Sequence, residues 1–385
     1  MLIAAGIFSL LIWGYLLLAR GQFWRLQADR PLKNTLHSAR IAVIIPARNE
    51  ADVVGHAVTS LLQASGSNTL HIFLVDDGSS DGTARAAQDA AIAAGRPEML
   101  TVIAGQPLPP GWSGKLWAMQ QGVERAREFQ PEFLLFTDAD VVHAPESLAT
   151  LVSIAEEGSY DLASFMVKLH CESLAEKFLI PAFVFFFFKL YPPKWIADSR
   201  HATAGAAGGC ILIRPAALQK AGGIEAIRNE VIDDCALAAR VKRSGGRLWL
   251  GTSLATESIR PYGGFAEIGS MISRTAFNQL RHSALLLALA VAGIAVTYLL
   301  PPVLVFFSHS KIPIALGAAA WLLMALSFLP VLRIYRLFPL WGLALPLIAV
   351  FYMGATVHSA YKYWSGRGGE WKGRVQDPLK KLTLR

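Results

Sequence analysis

Apolar runs of strand type that alternate with helical patterns constrain the fold of this chain most strongly. The runs cover residues 41–45, 70–75, 100–104 and 133–137, and the helical patterns between them cover 50–64, 83–94 and 114–129. This alternation predicts an α/β domain with a mostly parallel sheet, in which ligands bind at the carboxyl ends of the strands. The polar motifs follow the strands at those ends, so the sequence predicts a binding site along one edge of the sheet.

Two aspartates, Asp138 and Asp140, close the last of these runs in the segment FLLFTDAD. Side chains alternate along an extended chain, so both carboxylates point to the same side. Paired hard oxygen ligands suit Mg²⁺ or Mn²⁺ that also holds a diphosphate. The pair therefore indicates an enzyme that acts on an activated phosphate ester, and a solvated turn at the strand end is the alternative for a pattern this short.

Composition limits the partners of the chain. Apolar residues make up 53% of the 385 residues and the mean hydropathy is +0.39, which is high for a soluble protein. The net charge of +8 then favours anionic lipid headgroups as the partner. No basic stretch is interleaved with aromatic residues, which argues against a nucleic-acid groove. The three cysteines are dispersed and predict neither a metal site nor a disulfide framework.

The first apolar stretch covers residues 2–19 and precedes a series of basic residues: Arg20, Arg25, Arg30, Lys33 and Arg40. A cleaved signal peptide carries its positive charge before the apolar run. The reversed order predicts an uncleaved membrane helix in residues 1–20, with its amino end outside and the following domain, residues 38–280, in the cytoplasm.

Three further apolar stretches, 284–308, 313–332 and 338–360, predict transmembrane segments within 284–360. Each has about 20 residues or more, which suits a hydrocarbon core of about 30 Å. Pro301 and Pro302 interrupt the first stretch and predict a kinked or re-entrant segment. Two patterns disagree on the side of the membrane where the basic tail, 361–385, lies. Four full spans would place the tail outside, whereas its positive charge favours the cytoplasm.

A shorter apolar run at 178–190 is too short to span a membrane. One interpretation is a buried core helix. The other is an interfacial helix within 178–191 that dips into the leaflet near a lipid substrate.

Five motifs stand in a fixed order along the chain: IPARNE at 45–50, DDGSSDGT at 76–83, GWSGKLWA at 111–118, DAD at 138–140 and EVIDD at 230–234. This set resembles the family 2 glycosyltransferases, which have the GT-A fold, over about residues 38–280. The arrangement of one apolar segment before the domain and several after it resembles the hopene-associated branch and, more distantly, ceramide glucosyltransferase. The sequences PPGWSGKLWA and EWKGR resemble the hopene-associated branch. The resemblance implies a multi-pass protein of a bacterial-type inner (cytoplasmic) membrane.

The resemblance implies donor-binding roles for these residues: Pro46, Arg48, Glu50, Asp76, Asp77, Lys115 and Asp138. Asp76 or Asp77 would bind the uracil and ribose, while the other caps the turn. Arg48 has a salt-bridged structural role as its alternative. Lys115 opens a helix, where the dipole favours phosphate, and its alternative is a solvated lysine. Asp140 would contact Mg²⁺ or Mn²⁺ directly, with Asp138 near the metal or the ribose.

Inverting transfer needs a carboxylate that deprotonates the acceptor hydroxyl while the diphosphate leaves on the metal. In the family this base is the aspartate of a Glu-Asp pair that opens a helix. Asp234 aligns with it, and Asp233 replaces the glutamate. Helix N-capping is the alternative for either residue, and we expect one of the two to cap the helix while the other acts as the base. The preceding stretch at 204–210, rich in glycine and alanine, predicts a close approach of backbone to the donor sugar.

Arg274 matches the arginine of the Gln/Arg-x-x-Arg-Trp motif that precedes the distal spans in processive members, and it would stabilise the leaving diphosphate. The tryptophan of that motif is missing here, which favours a single sugar transfer from a nucleotide sugar, a UDP-sugar in particular, to a membrane lipid such as a hopanoid. A processive polysaccharide synthase and a non-catalytic membrane protein remain as alternatives. A dinucleotide-binding dehydrogenase is disfavoured, because no G-x-G-x-x-G follows the first strand.

Overall fold

The computed structural model describes residues 2–26, 38–64 and 68–366, together with the backbone of 370–371 and 374–375. The chain divides into two compact units. The helical unit comprises Met1–Gln27, Cys171–Lys194 and Pro261–Gly368, and the sheet unit comprises Ala28–His170, Trp195–Arg260 and Gly369–Arg385. Residues 171–194 and 261–280, which the sequence assigned to the glycosyltransferase-like domain, thus cluster with the apolar helices.

The strands of the main sheet are β1 (Arg40–Ala47), β2 (Thr69–Asp76), β3 (Leu100–Ala104), β4 (Phe133–Thr137), β5 (Val141–His143), β6 (Leu162–Lys168), β7 (Cys210–Ile213) and β8 (Leu248–Ser258). They form one sheet in the order β3-β2-β1-β4-β7-β6-β8-β5. β3, β2, β1 and β4 are parallel to one another, as β6 and β8 are, whereas β7 runs antiparallel to both β4 and β6 and β5 runs antiparallel to β8. Two short strands, β9 (Glu370–Trp371) and β10 (Arg374–Val375), pair separately.

The helices are α1 (Leu2–Leu18), α2 (Val54–Gln63), α3 (Thr83–Ala93), α4 (Gly114–Ala126), α5 (Ser147–Glu157), α6 (Leu174–Leu190), α7 (Pro193–Ala197), α8 (Pro215–Lys220), α9 (Asp233–Arg243), α10 (Phe265–Gln279), α11 (Ala284–Ile294), α12 (Leu300–Phe307), α13 (Lys311–Ile334) and α14 (Leu345–Trp364). Short 3₁₀ segments lie at Pro97–Met99, Arg127–Phe129, Ile224–Ile227 and Pro339–Ala344. The predicted α/β fold class with a mostly parallel sheet is confirmed.

The connections place a crevice between β1 and β4. The chain passes from β1 through α2 to β2 on one side of β1, and it returns through α4 to β4 on the other side. Strand order reverses at this point, and in open α/β sheets ligands bind at such a reversal, beyond the carboxyl ends of the strands. The ends of β1 and β4 carry IPARNE and DAD, so the topology brings these two motifs together.

Close packing of α4 against the sheet depends on Gly122. A Cβ atom at this position would lie 2.6 Å from Cγ2 of Ile44 and 3.3 Å from Cγ2 of Val75. Both neighbours are fully buried strand residues that have no room to move. The glycine therefore sets the distance of α4 from the sheet, and with it the position of Lys115 at the amino end of α4.

Several element boundaries differ from the sequence prediction. β1 continues through Pro46 to Ala47, two residues beyond the predicted run at 41–45. β4 pairs with β1 only as far as Ile44, so the missing N–H of Pro46 is not needed on that side. The helix expected at 50–64 begins at Val54, because Asn49 has a positive φ of 52° and the segment before α2 forms turns.

In the helical unit, three helical stretches are long and apolar enough to cross a membrane: Ala284–Phe307, Lys311–Ile334 and Pro339–Trp364. They match the three predicted distal spans. The expected break at Pro301 and Pro302 is absorbed by a π-helical turn, Ala295–Leu299, which leads directly into α12. α1 is a shorter apolar helix of 17 residues.

The short apolar run at 178–190 lies in α6. Phe185 and Phe188 are fully buried there, and α6 packs on α10, α13 and α14 within the helical unit. The interpretation as a buried helix is therefore supported.

Candidate active site

A cleft opens at the carboxyl ends of β1 and β4, and five of the predicted site residues line it: Pro46, Lys115, Asp138, Asp233 and Asp234. Its apolar wall includes Met119, Phe136, Ile211, Ile227 and Leu237. We call it the aspartate cleft. It brings together residues from β1, β4, α4 and α9, which are far apart in the sequence.

Lys115 is the cation of the aspartate cleft. Its Nζ lies 2.8 Å from Oδ1 of Asp138 and 3.6 Å from Oδ2 of Asp233. Burial opposes the charged form, but the carboxylates of Asp138 and Asp233, with a smaller contribution from Asp234, outweigh it and raise the pKa of Lys115 above its usual range. The ammonium group is therefore charged at every pH at which the protein would be assayed.

Asp234 is oriented by backbone amides. Its Oδ2 accepts a hydrogen bond from the Gly208 N–H at 2.9 Å, and its Oδ1 accepts one from the Cys235 N–H at 2.7 Å. Burial, followed by the charge of Asp233, raises the pKa of Asp234 from 3.8 to about 6. The stretch at 204–210 therefore contributes a wall beside this carboxylate, at Gly208.

Neither aspartate of the pair caps α9, contrary to the expectation that one of them would. The capping position is Ile232, which makes no side-chain capping bond, and Asp233 and Asp234 lie in the first helical turn. Both carboxylates face the aspartate cleft instead. They still interact favourably with the helix dipole, which suits anions at this end.

Asp140 lies in a second group of charges, which we call the Arg260 cluster: Glu50, Asp52, Asp140, Ser258 and Arg260. Oδ2 of Asp140 accepts a hydrogen bond from the Ser258 hydroxyl at 2.7 Å and lies 3.7 Å from Nε of Arg260. Arg260 also pairs with Glu50 and lies 3.9 Å from Asp52. Burial and the nearby Asp138 raise the pKa of Asp140.

Sequence reasoning missed Arg260 and Ser258. Ser258 is the last residue of β8 and Arg260 comes two residues later, so both lie at the end of the sheet beside Asp140. The only local signal was the polar segment after the strand, at 258–262. Because β8 pairs with β6 and β5 over a long sequence separation, its partners cannot be read from a local pattern.

The loops after β1 and β2 bind each other. The Asn49 N–H donates to the Ser79 hydroxyl at 2.9 Å, the Ser80 N–H donates to Oδ1 of Asn49 at 2.9 Å, and the Ala51 N–H donates to Oδ2 of Asp81 at 3.0 Å. Several polar groups of IPARNE and DDGSSDGT thus form hydrogen bonds that join the two loops.

The two adjacent aspartates after β2 have different partners. Asp76 accepts a hydrogen bond from the Ser79 N–H at 2.9 Å and so caps the turn. Asp77 is buried and lies 3.7 Å from Arg48, which also donates to the Asp77 carbonyl. Arg48 therefore has the structural ion pair that was its alternative interpretation.

The remaining predicted residues lie elsewhere. Arg274 is an exposed residue of α10 in the helical unit and is not among the residues that line the aspartate cleft. Trp117 donates to the Gln106 carbonyl at 3.1 Å and packs edge-on against Trp112, with ring centroids 5.2 Å apart. These contacts give Trp117 a packing role.

A buried hydrogen-bond chain supports the floor of the aspartate cleft. The Thr137 hydroxyl donates to the Gly209 carbonyl at 2.9 Å, so it accepts from Nε2 of His143, 3.1 Å away. These bonds assign the proton of the imidazole to Nε2. Burial lowers the pKa of His143 to about 4, so the ring is neutral at pH 7. The chain anchors the Gly208–Gly209 backbone, which in turn holds Asp234.

We expect Thr137→Val to lower activity, because valine keeps the shape of threonine but leaves the Gly209 carbonyl and His143 without their partner. Unsatisfied buried polar groups cost about 1–3 kcal/mol each, so the melting temperature should also fall. Thr137→Ser keeps the hydroxyl and is the matched control. Calorimetry and an activity assay on both variants test the chain, and equal behaviour of the two variants would contradict it.

The donor set fits a metal that a bound ligand helps to hold. Within the described residues, no group of three or more His, Cys, Asp or Glu side chains could bind a metal by itself. Asp138 and Asp140 supply two carboxylates, and the ammonium of Lys115 shows that the Asp138 carboxylate accepts a cation. Hard oxygen ligands of this kind suit Mg²⁺ or Mn²⁺ that shares a diphosphate.

The class of domain follows from the fold and the site. An α/β sheet with an acidic cleft at its strand reversal is the arrangement of the GT-A fold. Residues 42–222 match the family model described as Glycosyl transferase family 2.

Two further comparisons accompany this match. An uncharacterized protein of Methanocaldococcus jannaschii is 27% identical over 130 residues, which are 34% of this chain and 47% of that protein. The chain thus spans about half the length of the curated relative that it matches. The structure of the mannosyltransferase PcManGT from Pyrobaculum calidifontis, in complex with GDP-Man and Mn²⁺, aligns with a TM-score of 0.56 at 17% identity, over 94% of this chain and 99% of that one. This likeness confirms the GT-A fold.

Proposed function

We propose that this chain is an inverting glycosyltransferase that moves one sugar from a nucleotide sugar to the hydroxyl group of a membrane lipid. The observation that carries the proposal is the Asp234 carboxylate, held by two backbone amides in the same cleft as Asp138 and Lys115. A carboxylate fixed in this way is suited to removing the proton of an acceptor hydroxyl.

Lys115 and the first turn of α4 would bind the diphosphate of the donor. The ammonium offers a permanent charge, and the N–H groups of the helix end favour an anion. A diphosphate would compete with Asp138 and Asp233 for Lys115. Donor binding would therefore release carboxylate oxygens of these two aspartates from the lysine. The residues around β1 and β2, including Arg48, Glu50 and Asp77, would line the nucleotide.

Asp138 and Asp140 would hold Mg²⁺ or Mn²⁺ together with the diphosphate. When bound, such an ion supplies Lewis-acid stabilisation of the leaving phosphate. The neighbour PcManGT was solved with GDP-Man and Mn²⁺, which supports this choice of metal.

The acceptor is proposed from the apolar helices. Three stretches long enough to cross a membrane belong to the same chain as the aspartate cleft, and an enzyme anchored in this way meets lipid alcohols directly. A hopanoid is the candidate that the sequence resemblance implies, and a UDP-sugar is the candidate donor. The bacterial-type inner membrane, with the sheet unit in the cytoplasm, remains the proposed location.

We expect kcat/KM to rise with pH, with its midpoint near pH 6, and to level off about one pH unit higher. The pKa of Asp234 is raised from 3.8 to about 6, and the base must be ionised to accept a proton, so activity is lost as the pH falls through that value. The pH dependence of kcat/KM at saturating metal tests this expectation. A profile that is flat between pH 5 and 8 would exclude a carboxylate base of this pKa.

The experiment that tests the proposal uses the full chain in lipid nanodiscs with Mn²⁺, a panel of UDP- and GDP-sugars and a total lipid extract. Mass spectrometry would detect a new glycolipid. Asp234→Asn is the test variant, and Asp89→Asn, at an exposed position of α3, is the matched control. A glycolipid formed by the wild type and the control alone supports the proposal. Donor binding without any modified lipid would contradict the acceptor class, and no binding of any nucleotide sugar would contradict the activity.

A further inference from the structure

Lys189 places an ammonium group inside the apolar helical unit. It lies in the last turn of α6, and its Nζ donates a hydrogen bond to the hydroxyl of Tyr298 at 2.8 Å. The same Nζ lies 4.7 Å from the ring centroid of Tyr298 and 5.2 Å from that of Phe186. Tyr298 is 1% exposed and belongs to the π-helical turn between α11 and α12. Lys189 is thus held against aromatic faces at a deviation from regular helix, a feature that often marks functional sites.

The charge of Lys189 has no counter-ion in the described part of the chain. Its hydrogen-bond acceptor is a neutral hydroxyl, and no carboxylate of residues 2–26, 38–64 or 68–366 forms an ion pair with it. An ammonium has three donors, of which the Tyr298 oxygen uses one. Burial of a charge is costly unless an opposite charge accompanies it. The other N–H groups of Lys189 can therefore donate to an anionic acceptor.

A second cation lies beside Lys189. The Nε of Arg20 donates to the Lys189 carbonyl at 3.1 Å, which holds the guanidinium at the end of α6. Two positive groups next to each other repel, and a phosphate would relieve this repulsion because it accepts hydrogen bonds from both. Lys194 and Gln22 are also joined by a hydrogen bond, so the carboxyl ends of α1 and α6 meet at this point.

The position of these cations favours a lipid over a soluble anion. Arg20 comes two residues after the end of α1, whose side chains Leu11 and Leu18 are 65% and 82% exposed. Apolar side chains this exposed on an apolar helix face hydrocarbon, and basic residues just beyond such a helix lie at the level of the headgroups. Arg25 stacks on Trp24 close by, at 5.1 Å from its ring centroid, and tryptophan is typical of that level.

We propose that Arg20 and Lys189 bind the phosphate group of an anionic membrane lipid, with Tyr298 as the residue that positions the Lys189 ammonium. The ammonium and guanidinium groups donate to the phosphate oxygens, and Tyr298 keeps the Lys189 ammonium in place. The site belongs to the helical unit and does not depend on the sugar-transfer proposal, so either can fail without the other.

The test measures lipid binding to the full chain in a neutral detergent. Native mass spectrometry would compare phosphatidylglycerol with phosphatidylcholine for the wild type, Lys189→Met, Tyr298→Phe and Lys311→Met. Lys311 is an exposed lysine at the start of α13, so Lys311→Met removes the same charge from another part of the helical unit. We expect Lys189→Met to lower the affinity for phosphatidylglycerol about fivefold, which corresponds to one basic residue at an anionic headgroup. Tyr298→Phe should weaken binding less, and Lys311→Met should leave it unchanged.

Three results would overturn the proposal. Equal losses in Lys189→Met and Lys311→Met would indicate general surface charge. Unchanged binding in Lys189→Met and Tyr298→Phe would show that the lysine is a structural residue held by its aromatic neighbours. Inorganic phosphate that protects the protein from heat as well as phosphatidylglycerol does, at equal concentration, would assign the site to a soluble anion. If Lys189→Met fails to fold, Tyr298→Phe with its retained lysine decides between these outcomes.

Discussion

Asp234→Asn is expected to lower kcat for sugar transfer by about 10²–10⁴-fold, the usual contribution of a positioned general base. Asparagine still accepts a hydrogen bond through its side-chain oxygen, and so it can keep one of the two amide contacts of Asp234. It cannot take a proton from the acceptor hydroxyl. Donor affinity should therefore change little, and titration calorimetry with the nucleotide sugar would measure it beside the rate of glycolipid formation.

The thermal stability of Asp234→Asn separates a chemical effect from unfolding. The folded chain holds the proton of Asp234 more tightly than the unfolded chain does, because its pKa is raised from 3.8 to about 6. The stabilisation that protonation provides is present below pH 3.8 and is lost as the pH rises through about 6. At neutral pH the ionised side chain is thus a cost, and its removal should not lower the melting temperature. A large fall in melting temperature together with the loss of activity would contradict the role of a base.

Lys115→Met is expected to lower kcat/KM by about 10²–10³-fold, the cost of removing one donor aimed at developing negative charge. The substitution also removes the cation that Asp138 and Asp233 share. Lys115 is one of the groups that lower the pKa of Asp234, so the rising limb of the pH profile should move to higher pH. A lysine that only contacts solvent would produce no such shift.

The control for Lys115→Met is Lys220→Met, since Lys220 is an exposed lysine at the end of α8 in the same unit. It removes the same charge outside the aspartate cleft and should leave both the rate and the pH profile unchanged. Rates measured across pH 5–9 for the two variants show whether the loss of activity and the shift of the pH profile are specific to Lys115. Loss of activity in Lys115→Met with an unmoved pH profile would indicate that Lys115 does not interact with the base.

Apolar runs in the sequence predicted the positions of β1 to β4, and for β3 and β4 they predicted the bounds as well. The strands at 100–104 and 133–137 have the predicted bounds; in β4 every residue is buried, so the apolar run has the length of the strand. The helix bounds were less accurate, because turn geometry at Asn49 and the bonds between two loops decide where α2 begins. These are contacts between distant segments, which a local pattern does not contain.

The aspartate cleft was largely predictable because its residues follow strand ends, and parallel strands end at one edge. Arg260 and His143 were not predicted. Arg260 reaches Asp140 through β8, an element whose neighbours are set by long-range pairing. His143 lies in a three-residue strand, too short for its apolar pattern to be recognised. The expected helix cap at Asp233 or Asp234 was wrong, because both carboxylates face the aspartate cleft and its cation.

The hydrogen bonds between the loops after β1 and β2 change how inactive variants of this protein should be interpreted. Asn49 and Asp81 hold one loop to the other through backbone amides, without any need to touch a substrate. A screen that scores activity alone would place them beside Asp234 as essential residues. A donor-binding measurement beside the activity assay would separate residues that join the two loops from residues that take part in the reaction. Sequence motifs of this kind therefore indicate correctly assembled loops before they indicate a reaction.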